Sequence, residues 1–190
     1  MSRRVLVVVD MQNDFCTGSL KNDAAVAVIP FIKEKIEEFR KEGSPVIYTK
    51  DTHFKDYLDT PEGKSIPVPH CIKGTVGWEV VNELYPAEND IIVEKNAFKW
   101  DGPWSGVIKE ALEPTCEDEA ELTDETLDDV IVEMVGTCTD ICVISNAEAI
   151  SEIPGVKTII HAKGCAGLTP EKHEEALLKM ENFKNTMVVR

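Results

Sequence analysis

Short apolar runs recur along this chain and alternate with segments whose apolar residues repeat every three or four positions. The first run, from Val5 to Val9, is apolar at every position and ends at Asp10. A run of this kind is typical of a strand in a parallel sheet, because such a strand is buried on both faces. We predict six strands on this basis: Val5–Val9, Pro45–Thr49, Asp90–Val93, Val130–Val135, Val156–His161 and Thr186–Val189.

Helical periodicity fills the intervals between these strands. Apolar residues between Ile29 and Arg40 lie three or four positions apart, which places them on one helix face, and Pro30 fits the first turn. Strand–helix alternation predicts an α/β protein with a parallel sheet that is covered by helices on both faces. The 190 residues suit a single domain, 1–190. The other predicted helices are Trp78–Leu84, Trp104–Leu112, Thr139–Ile150 and Pro170–Phe183.

The formal net charge of −15 narrows the range of partners. Nucleic acids and anionic membranes both attract clustered Lys and Arg, so we expect neither as a partner. No apolar run reaches the ~20 residues of a membrane helix, and the N-terminal run is too short for a signal peptide. We therefore expect a cytoplasmic protein. Nine carboxylates lie between Glu113 and Asp129 without a basic residue, and we predict a solvated loop or surface helix there.

Three reactive side chains lie at the ends of predicted strands: Asp10, Lys95 and Cys138. Ligand sites of parallel sheets lie at the carboxyl ends of the strands, so we expect the three to meet there. Cys138 precedes a predicted helix, whose N-terminus favours a thiolate and offers free N–H groups to an oxyanion. Asp10 would accept the thiol proton, and Lys95 would keep both groups charged. Taken singly, each residue also fits a structural role. Cys142 faces the same way as Cys138 on a helix.

The loop at about 51–77 is too long for an ordinary connection and is rich in metal-ligand residue types. Asp51 and His53 form a D-x-H pair, and His70 lies further along the loop. Glu62 is the natural additional carboxylate. Such ligands suit a divalent zinc, iron or manganese ion, although the histidines could instead only hydrogen-bond the loop. Two further carboxylates of the loop compete with Glu62: Asp56 and Asp59.

Three motifs give the chain a resemblance to the isochorismatase-like cysteine hydrolases over essentially its whole length. They are DMQNDF from Asp10, EKNAF around Lys95 and GTCTDICV around Cys138. The resemblance implies a doubly wound sheet of about six parallel strands and a catalytic triad of the matching Asp, Lys and Cys. It also implies a cis peptide bond before Cys138, with the amides of Thr137 and Cys138 as the oxyanion hole.

Within this family the chain most resembles the nicotinamidases, which bind a metal through a D-x-H pair, a later His and often a Glu between them. The resemblance implies hydrolysis of nicotinamide to nicotinate and ammonia through a thioester on Cys138, a reaction of NAD salvage. The metal would be zinc, or alternatively iron or manganese. The matching metal ligands are Asp51, His53, Glu62 and His70.

The aromatic residues near these motifs are candidates for binding the substrate. By the same resemblance, Phe15 and Trp104 would sandwich the nicotinamide ring, and Trp100 would fill the pocket from another side. Ordinary core packing is the alternative for all three, since aromatic side chains bury large apolar areas.

Two alternative functions remain open at this point. The nearer one is another hydrolase of the same family, acting on isochorismate, a carbamoyl compound or another small amide. An alternative of a different class is a signalling receiver domain, with Asp51 as the phosphoacceptor and Asp10 as a magnesium ligand. That alternative leaves Cys138, His53 and His70 without a role. The sequence leaves open whether the protein forms a homo-oligomer and whether a neighbouring subunit lines the pocket.

Overall fold

The computed structural model describes residues 3–113 and 127–190, and within these residues the chain forms one six-stranded sheet with helices on both faces. A π turn, Thr139–Val143, leads directly into the helix Ile144–Ser151. The strands are β1 Arg3–Val9, β2 Val46–Asp51, β3 Ile91–Lys95, β4 Val130–Thr137, β5 Lys157–Ala166 and β6 Thr186–Val189. The helices are α1 Asn13–Cys16, α2 Asp23–Lys41, α3 Pro61–Ser65, α4 Trp104–Leu112, α5 Ile144–Ser151 and α6 Pro170–Met180.

Every neighbouring pair of strands is parallel, and the order across the sheet is β3-β2-β1-β4-β5-β6. The chain proceeds outward from β1 to β3, returns to β4 beside β1, and proceeds outward again to β6. This is the doubly wound arrangement, and the predicted fold class is confirmed. The order reverses between β1 and β4, where sheets of this kind form a ligand cleft at the carboxyl ends of the strands.

The central strand β1 shows why its sequence is apolar throughout. Val5, Val7 and Val9 pack on one face of the sheet in the core that contains α4, α5 and α6. Leu6 and Val8 point to the other face and pack with α2. All five side chains are fully buried, since successive residues of a strand face opposite sides and helices cover both.

The second helix is longer than its apolar pattern predicts. We expected it near Ile29 with Pro30 in the first turn, but it starts at Asp23 and Pro30 lies inside it. Asn22 provides the start, because its side chain accepts a hydrogen bond of 3.0 Å from the N–H of Ala24. The cap determines this end of the helix, and the apolar spacing locates only the buried part.

The predicted helix Trp78–Leu84 is wrong. Two short 3₁₀ turns, Val76–Trp78 and Asn82–Leu84, flank an extended residue, Val80. Val80 forms an antiparallel bridge with Gln12, which holds the backbone extended between the turns. A contact across 68 positions of sequence, 80 minus 12, therefore overrides the local helical pattern.

Most of the acidic stretch lies outside the described residues, which end at 113 and resume at 127. The prediction of a solvated loop or surface helix for 113–129 therefore stays a prediction. Leu127, at the resumption, is fully buried and packs in the core beside α4 and β4. Among the described helices, none is long and apolar enough to cross a bilayer.

A buried ionic cluster ties the central strands to α2. Glu133 of β4 accepts hydrogen bonds of 2.9 and 2.7 Å from Arg4, and its second oxygen lies 2.5 Å from His161 Nε2 and 3.2 Å from Lys35 Nζ. Burial alone would raise the pKa of Glu133. The hydrogen bonds from His161 and Arg4 and the charge of Lys35 outweigh burial and lower this pKa to about 2.

We expect Glu133→Gln to lower the free energy of unfolding by about 3 kcal/mol at pH 7, because Arg4 and Lys35 lose a buried carboxylate. The folded-state pKa lies below the unfolded value of about 4.3, so this contribution is complete above that pH and fades as the pH falls toward 2. Urea denaturation of both proteins between pH 2 and pH 7 measures it. Glu38→Gln, at the exposed rim of the cluster, should cost under about 1 kcal/mol. A Glu133→Gln deficit that does not change with pH would contradict the assignment.

Candidate active site

A buried ion pair forms at the carboxyl edge of the sheet. Asp10 directly follows β1 in a left-handed conformation, φ 48°, and Lys95 is the last residue of β3. Lys95 Nζ lies 2.7 Å from Asp10 Oδ2, although β2 separates their two strands in the sheet. Thr49 Oγ1 donates to the other carboxylate oxygen of Asp10 at 2.6 Å. Two of the three predicted catalytic residues are therefore in contact.

The surroundings of this pair raise the pKa of both groups. Complete burial raises the pKa of Asp10, because the carboxylate loses its hydration, and the charge of Lys95 opposes this shift. Burial alone would lower the pKa of Lys95, but Asp10 and its other anionic neighbours outweigh burial and raise it well above the usual value. Lys95 therefore remains an ammonium, and Asp10 exchanges a proton at a higher pH than an exposed aspartate does.

The thiol that contacts this pair belongs to Cys142, and the structure does not bring the predicted Cys138 there. Cys142 Sγ lies 3.7 Å from Lys95 Nζ and also interacts with the Asp10 carboxyl group. Cys138 Sγ instead accepts a hydrogen bond of 3.4 Å from Thr137 Oγ1. The two cysteines are four residues apart, so one helical turn brings both thiols to the same side. Only the second thiol reaches the ion pair.

Both thiols are nearly buried, with exposed fractions of 8% for Cys138 and 6% for Cys142. Burial raises the pKa of Cys138 to about 11 and raises the pKa of Cys142 well above its ordinary value. Lys95 opposes the shift at Cys142, but burial outweighs it. A neutral thiol needs a base before it can attack, and Asp10 is the carboxylate beside Cys142.

The backbone after β4 has an unusual course. The peptide bond between Thr137 and Cys138 is cis, as predicted. The carbonyl of Cys138 accepts hydrogen bonds from the N–H groups of Ile141 and Val143, at 3.1 and 3.0 Å. Among the hydrogen bonds of the described residues, none joins the intervening Cys142 amide to that carbonyl. The oxyanion role predicted for the Thr137 and Cys138 amides stays a prediction.

The four predicted metal ligands come together beside the ion pair. One ligand atom from each of Asp51, His53, Glu62 and His70 lies within 4.8 Å of the others. His53 Nε2 lies 2.9 Å from Asp51 Oδ2 and 3.4 Å from Glu62 Oε1. His70 Nε2 lies 3.3 Å from Asp51 Oδ2, while its Nδ1 contacts the Val68 carbonyl at 2.8 Å. Two imidazoles and two carboxylates fit a zinc, iron or manganese ion.

Asp51 connects this cluster with the ion pair. Its Oδ1 lies 3.3 Å from Lys95 Nζ, and its Oδ2 faces both histidines. Burial alone would raise the pKa of Asp51, but Lys95 and the histidines hold it below the usual range. For His53, burial would lower the pKa, whereas Asp51 and Glu62 raise it to about 9. The group of ligands does not include the two competing carboxylates, Asp56 and Asp59.

We expect zinc binding to the metal-free protein to release protons. We expect His53 to carry a proton at pH 7.5, because Asp51 and Glu62 raise its pKa to about 9, and an imidazole must lose that proton to bind a metal. A zinc titration in a weakly buffered indicator solution measures the release. His53→Gln should release fewer protons per zinc ion bound. Equal release by both proteins would contradict the role of His53.

A cavity of about 600 Å³ lies beside the two thiols and the candidate metal ligands. Cys138 and Cys142 form part of its wall, together with Asp51, Glu62 and His70. A substrate in this cavity would meet the thiols and the metal ligands at the same time. The apolar part of the wall consists of Phe15, Leu20, Ile66, Phe98, Ile141 and Leu168.

Of the three aromatic residues predicted to bind the substrate, the structure places one at the cavity wall. Phe15 lines the cavity, and its ring centroid lies 5.6 Å from that of His70. Trp104 is buried in the core, where its Nε1 donates to Asn146 Oδ1 at 3.3 Å, and Trp100 packs against it. Neither tryptophan is among the residues that line the cavity, because α4 directs Trp104 into the core.

Two functional candidates, Phe98 and Cys142, are not among the residues that the sequence predicts for the site. Phe98 lines the cavity, whereas the two predicted tryptophans do not. It belongs to the EKNAF motif and is partly exposed, at 42%, so the motif itself was the available signal. Cys142 belongs to the GTCTDICV motif, and its contact with Lys95 depends on how the π turn winds.

The chain is similar to known proteins over nearly its whole length. The family model described as Isochorismatase domain matches residues 4–189. A nicotinamidase/pyrazinamidase of Mycobacterium tuberculosis is 30% identical over 192 residues, with 97% of this chain and 98% of that protein covered. A nicotinamidase/pyrazinamidase structure from Bacillus subtilis is similar with a TM-score of 0.79 and 27% identity, over 99% of this chain and 100% of that one. A pyrazinamidase of Pyrococcus horikoshii in complex with zinc has a TM-score of 0.77 and 25% identity, over 99% of both chains.

Proposed function

This chain belongs to the isochorismatase family, and on that premise we propose that it is a metal-dependent nicotinamidase whose nucleophile is Cys142. The chain is a hydrolase of amide carbon–nitrogen bonds. The observation that carries this proposal is the contact of Cys142, in the cavity wall, with Lys95 and Asp10. Three of the four candidate metal ligands, Asp51, Glu62 and His70, line the same cavity, and His53 completes their group. The reaction converts nicotinamide and water to nicotinate and ammonia, a step of NAD salvage in the cytoplasm.

The first half of the reaction forms a thioester. Asp10 accepts the proton of Cys142, and the thiolate attacks the amide carbon of the substrate. The raised pKa of Asp10 supports this role, since a stronger base takes a thiol proton more readily. Lys95 stabilises the thiolate as it forms, at 3.7 Å in the resting protein. Asp10 then returns the proton to the leaving ammonia as the carbon–nitrogen bond breaks.

Backbone amides stabilise the tetrahedral intermediate. We assign this role to the N–H groups of Cys138 and Cys142. Cys138 is the cap residue of the π turn, so its N–H lies before the first hydrogen bond of the turn. The Cys138 carbonyl accepts from the N–H groups of Ile141 and Val143, and no hydrogen bond among the described residues joins it to the N–H of Cys142. The assignment keeps the predicted Cys138 amide and replaces that of Thr137, which lies within β4. In the second half, Asp10 activates a water molecule, which attacks the thioester carbon, and the Cys142 thiol leaves with the proton.

The remaining side chains hold the substrate. Asp51, His53, Glu62 and His70 would hold the metal ion, for which we propose zinc, as in the Pyrococcus horikoshii pyrazinamidase, with iron and manganese as alternatives. When bound, the ion would supply a Lewis acid that interacts with the pyridine nitrogen of nicotinamide, either directly or through a water molecule. Phe15 packs against one face of the ring, since it lines the cavity beside His70.

The second candidate function is another small-amide hydrolase of the same family, acting on a carbamoyl compound, for example. The observation that favours it is the absence of both predicted tryptophans from the cavity wall, which leaves Phe15 as the only predicted aromatic residue there. Ammonia release from the purified, zinc-loaded protein separates the two functions. Release from nicotinamide supports the proposal, whereas release only from carbamoyl compounds replaces its substrate.

We expect Cys142→Ser to lower kcat for nicotinamide by at least about 10³-fold, because a hydroxyl is a far weaker nucleophile at this position. Cys138→Ser should keep kcat within about tenfold of the unchanged protein, since its backbone amide remains. Steady-state ammonia release measures both, and circular dichroism verifies folding. Cys165→Ser is a matched control, because it removes a buried thiol outside the cavity wall. Activity in Cys142→Ser together with its loss in Cys138→Ser would return the nucleophile to Cys138.

A further inference from the structure

Three polar residues of the DMQNDF motif, Gln12, Asn13 and Asp14, have no part in the chemistry described above. All three form hydrogen bonds with the loop at about 51–77, which contains the candidate metal ligands and which we call the metal loop. Gln12 Nε2 donates to the carbonyls of Asp51 and Trp78, both at 2.8 Å. Gln12 Oε1 also accepts from the N–H of Asp51 at 2.7 Å. Asp14 accepts a hydrogen bond at 2.7 Å from a loop amide beside the second histidine ligand. Asn13 donates to two carbonyls further along: Val76 and Glu79.

Asp14 acts at the point where the two histidine ligands are joined. Its Oδ2 accepts from the N–H of Cys71, the residue directly after His70. The carbonyl of Cys71 accepts in turn from the N–H of His53 at 2.9 Å. Cys71 is fully buried and has a left-handed backbone, φ 47°, a conformation that few non-glycine residues adopt without support. One residue thus connects Asp14 with the backbones of both imidazole ligands.

Two glycines make room for the Asp14 carboxylate. A Cβ atom on Gly18 would lie 2.3 Å from Asp14 Oδ1, and one on Gly77 would lie 2.2 Å from Asp14 Oδ2. Both distances are far shorter than the closest approach of non-bonded atoms, so a side chain at either position would clash with the carboxylate. The first oxygen also accepts from the N–H of Ser19 at 3.1 Å, so hydrogen bonds hold the carboxylate at both oxygens.

We propose that Asp14 is a positioning residue of the metal site, which sets the affinity for the ion by holding Cys71 and, with it, His70 and His53. The inference rests on the metal site of the proposed function. A carboxylate suits this position because both of its oxygens accept hydrogen bonds and its charge strengthens them. An asparagine offers one acceptor oxygen and turns an NH₂ group toward one of the two N–H donors.

Metal affinity tests the proposal without relying on catalysis. Metal-free preparations of the unchanged protein, Asp14→Asn, Asp14→Ala and Gly77→Ala compete for zinc with a chromophoric chelator. We expect the zinc Kd of Asp14→Ala to rise about 10–100-fold, as for other residues that orient metal ligands. Gly77→Ala should shift the Kd in the same direction, because the added methyl group displaces the carboxylate. Glu34→Gln, an exposed position on α2, controls for the loss of one negative charge.

A second measurement separates positioning from general destabilisation. Thermal unfolding of each protein with and without zinc gives the rise in Tm that the metal produces. A positioning role shrinks this rise in the Asp14 variants, whereas a merely structural role lowers both Tm values equally and leaves the rise unchanged. If Asp14→Ala keeps both the zinc Kd and the zinc-induced rise in Tm of the unchanged protein, the positioning role of Asp14 is overturned and the metal assignment is not affected. Failure of the unchanged protein to bind zinc would overturn the metal assignment and this inference with it.

Discussion

One buried ammonium group holds the whole site together. Lys95 Nζ lies 2.7 Å from Asp10, 3.3 Å from Asp51 and 3.7 Å from Cys142, and the Ala97 carbonyl accepts from it at 3.1 Å. Two carboxylates buried side by side repel each other and lose hydration, so they persist in charged form only with a cation between them. Lys95 supplies that cation and thereby connects the proposed nucleophile with the candidate metal ligands.

The order of strands determines which groups can share this ammonium. Asp10, Asp51 and Lys95 end three adjacent strands, β1, β2 and β3, so their side chains meet at one edge of the sheet. The thiol arrives from β4, on the other side of β1, across the position where the strand order reverses. Helices cover both faces of these strands, and the cavity of about 600 Å³ lies at their carboxyl edge.

Particular residues show where sequence reasoning succeeded and where it did not. Strand-end placement grouped Asp10 with Lys95, and the two are in contact, because parallel strands align their carboxyl ends. The same rule selected Cys138, the first thiol after β4, although the contact belongs to Cys142 one turn later. Proximity in sequence likewise suggested Trp104 for the pocket, but the orientation of α4 places it in the core.

The sequence by itself determined the fold class, the group of candidate metal ligands, and the pairing of an acid with a lysine at the sheet edge. These follow from local patterns, since apolar runs set the strands and residue types set the chemistry. Only the tertiary structure decided which cysteine meets Lys95, which aromatic residues line the cavity, and that Asp14 holds the metal loop. Each of these depends on the direction of a side chain relative to residues distant in sequence, and local periodicity contains no information about that direction.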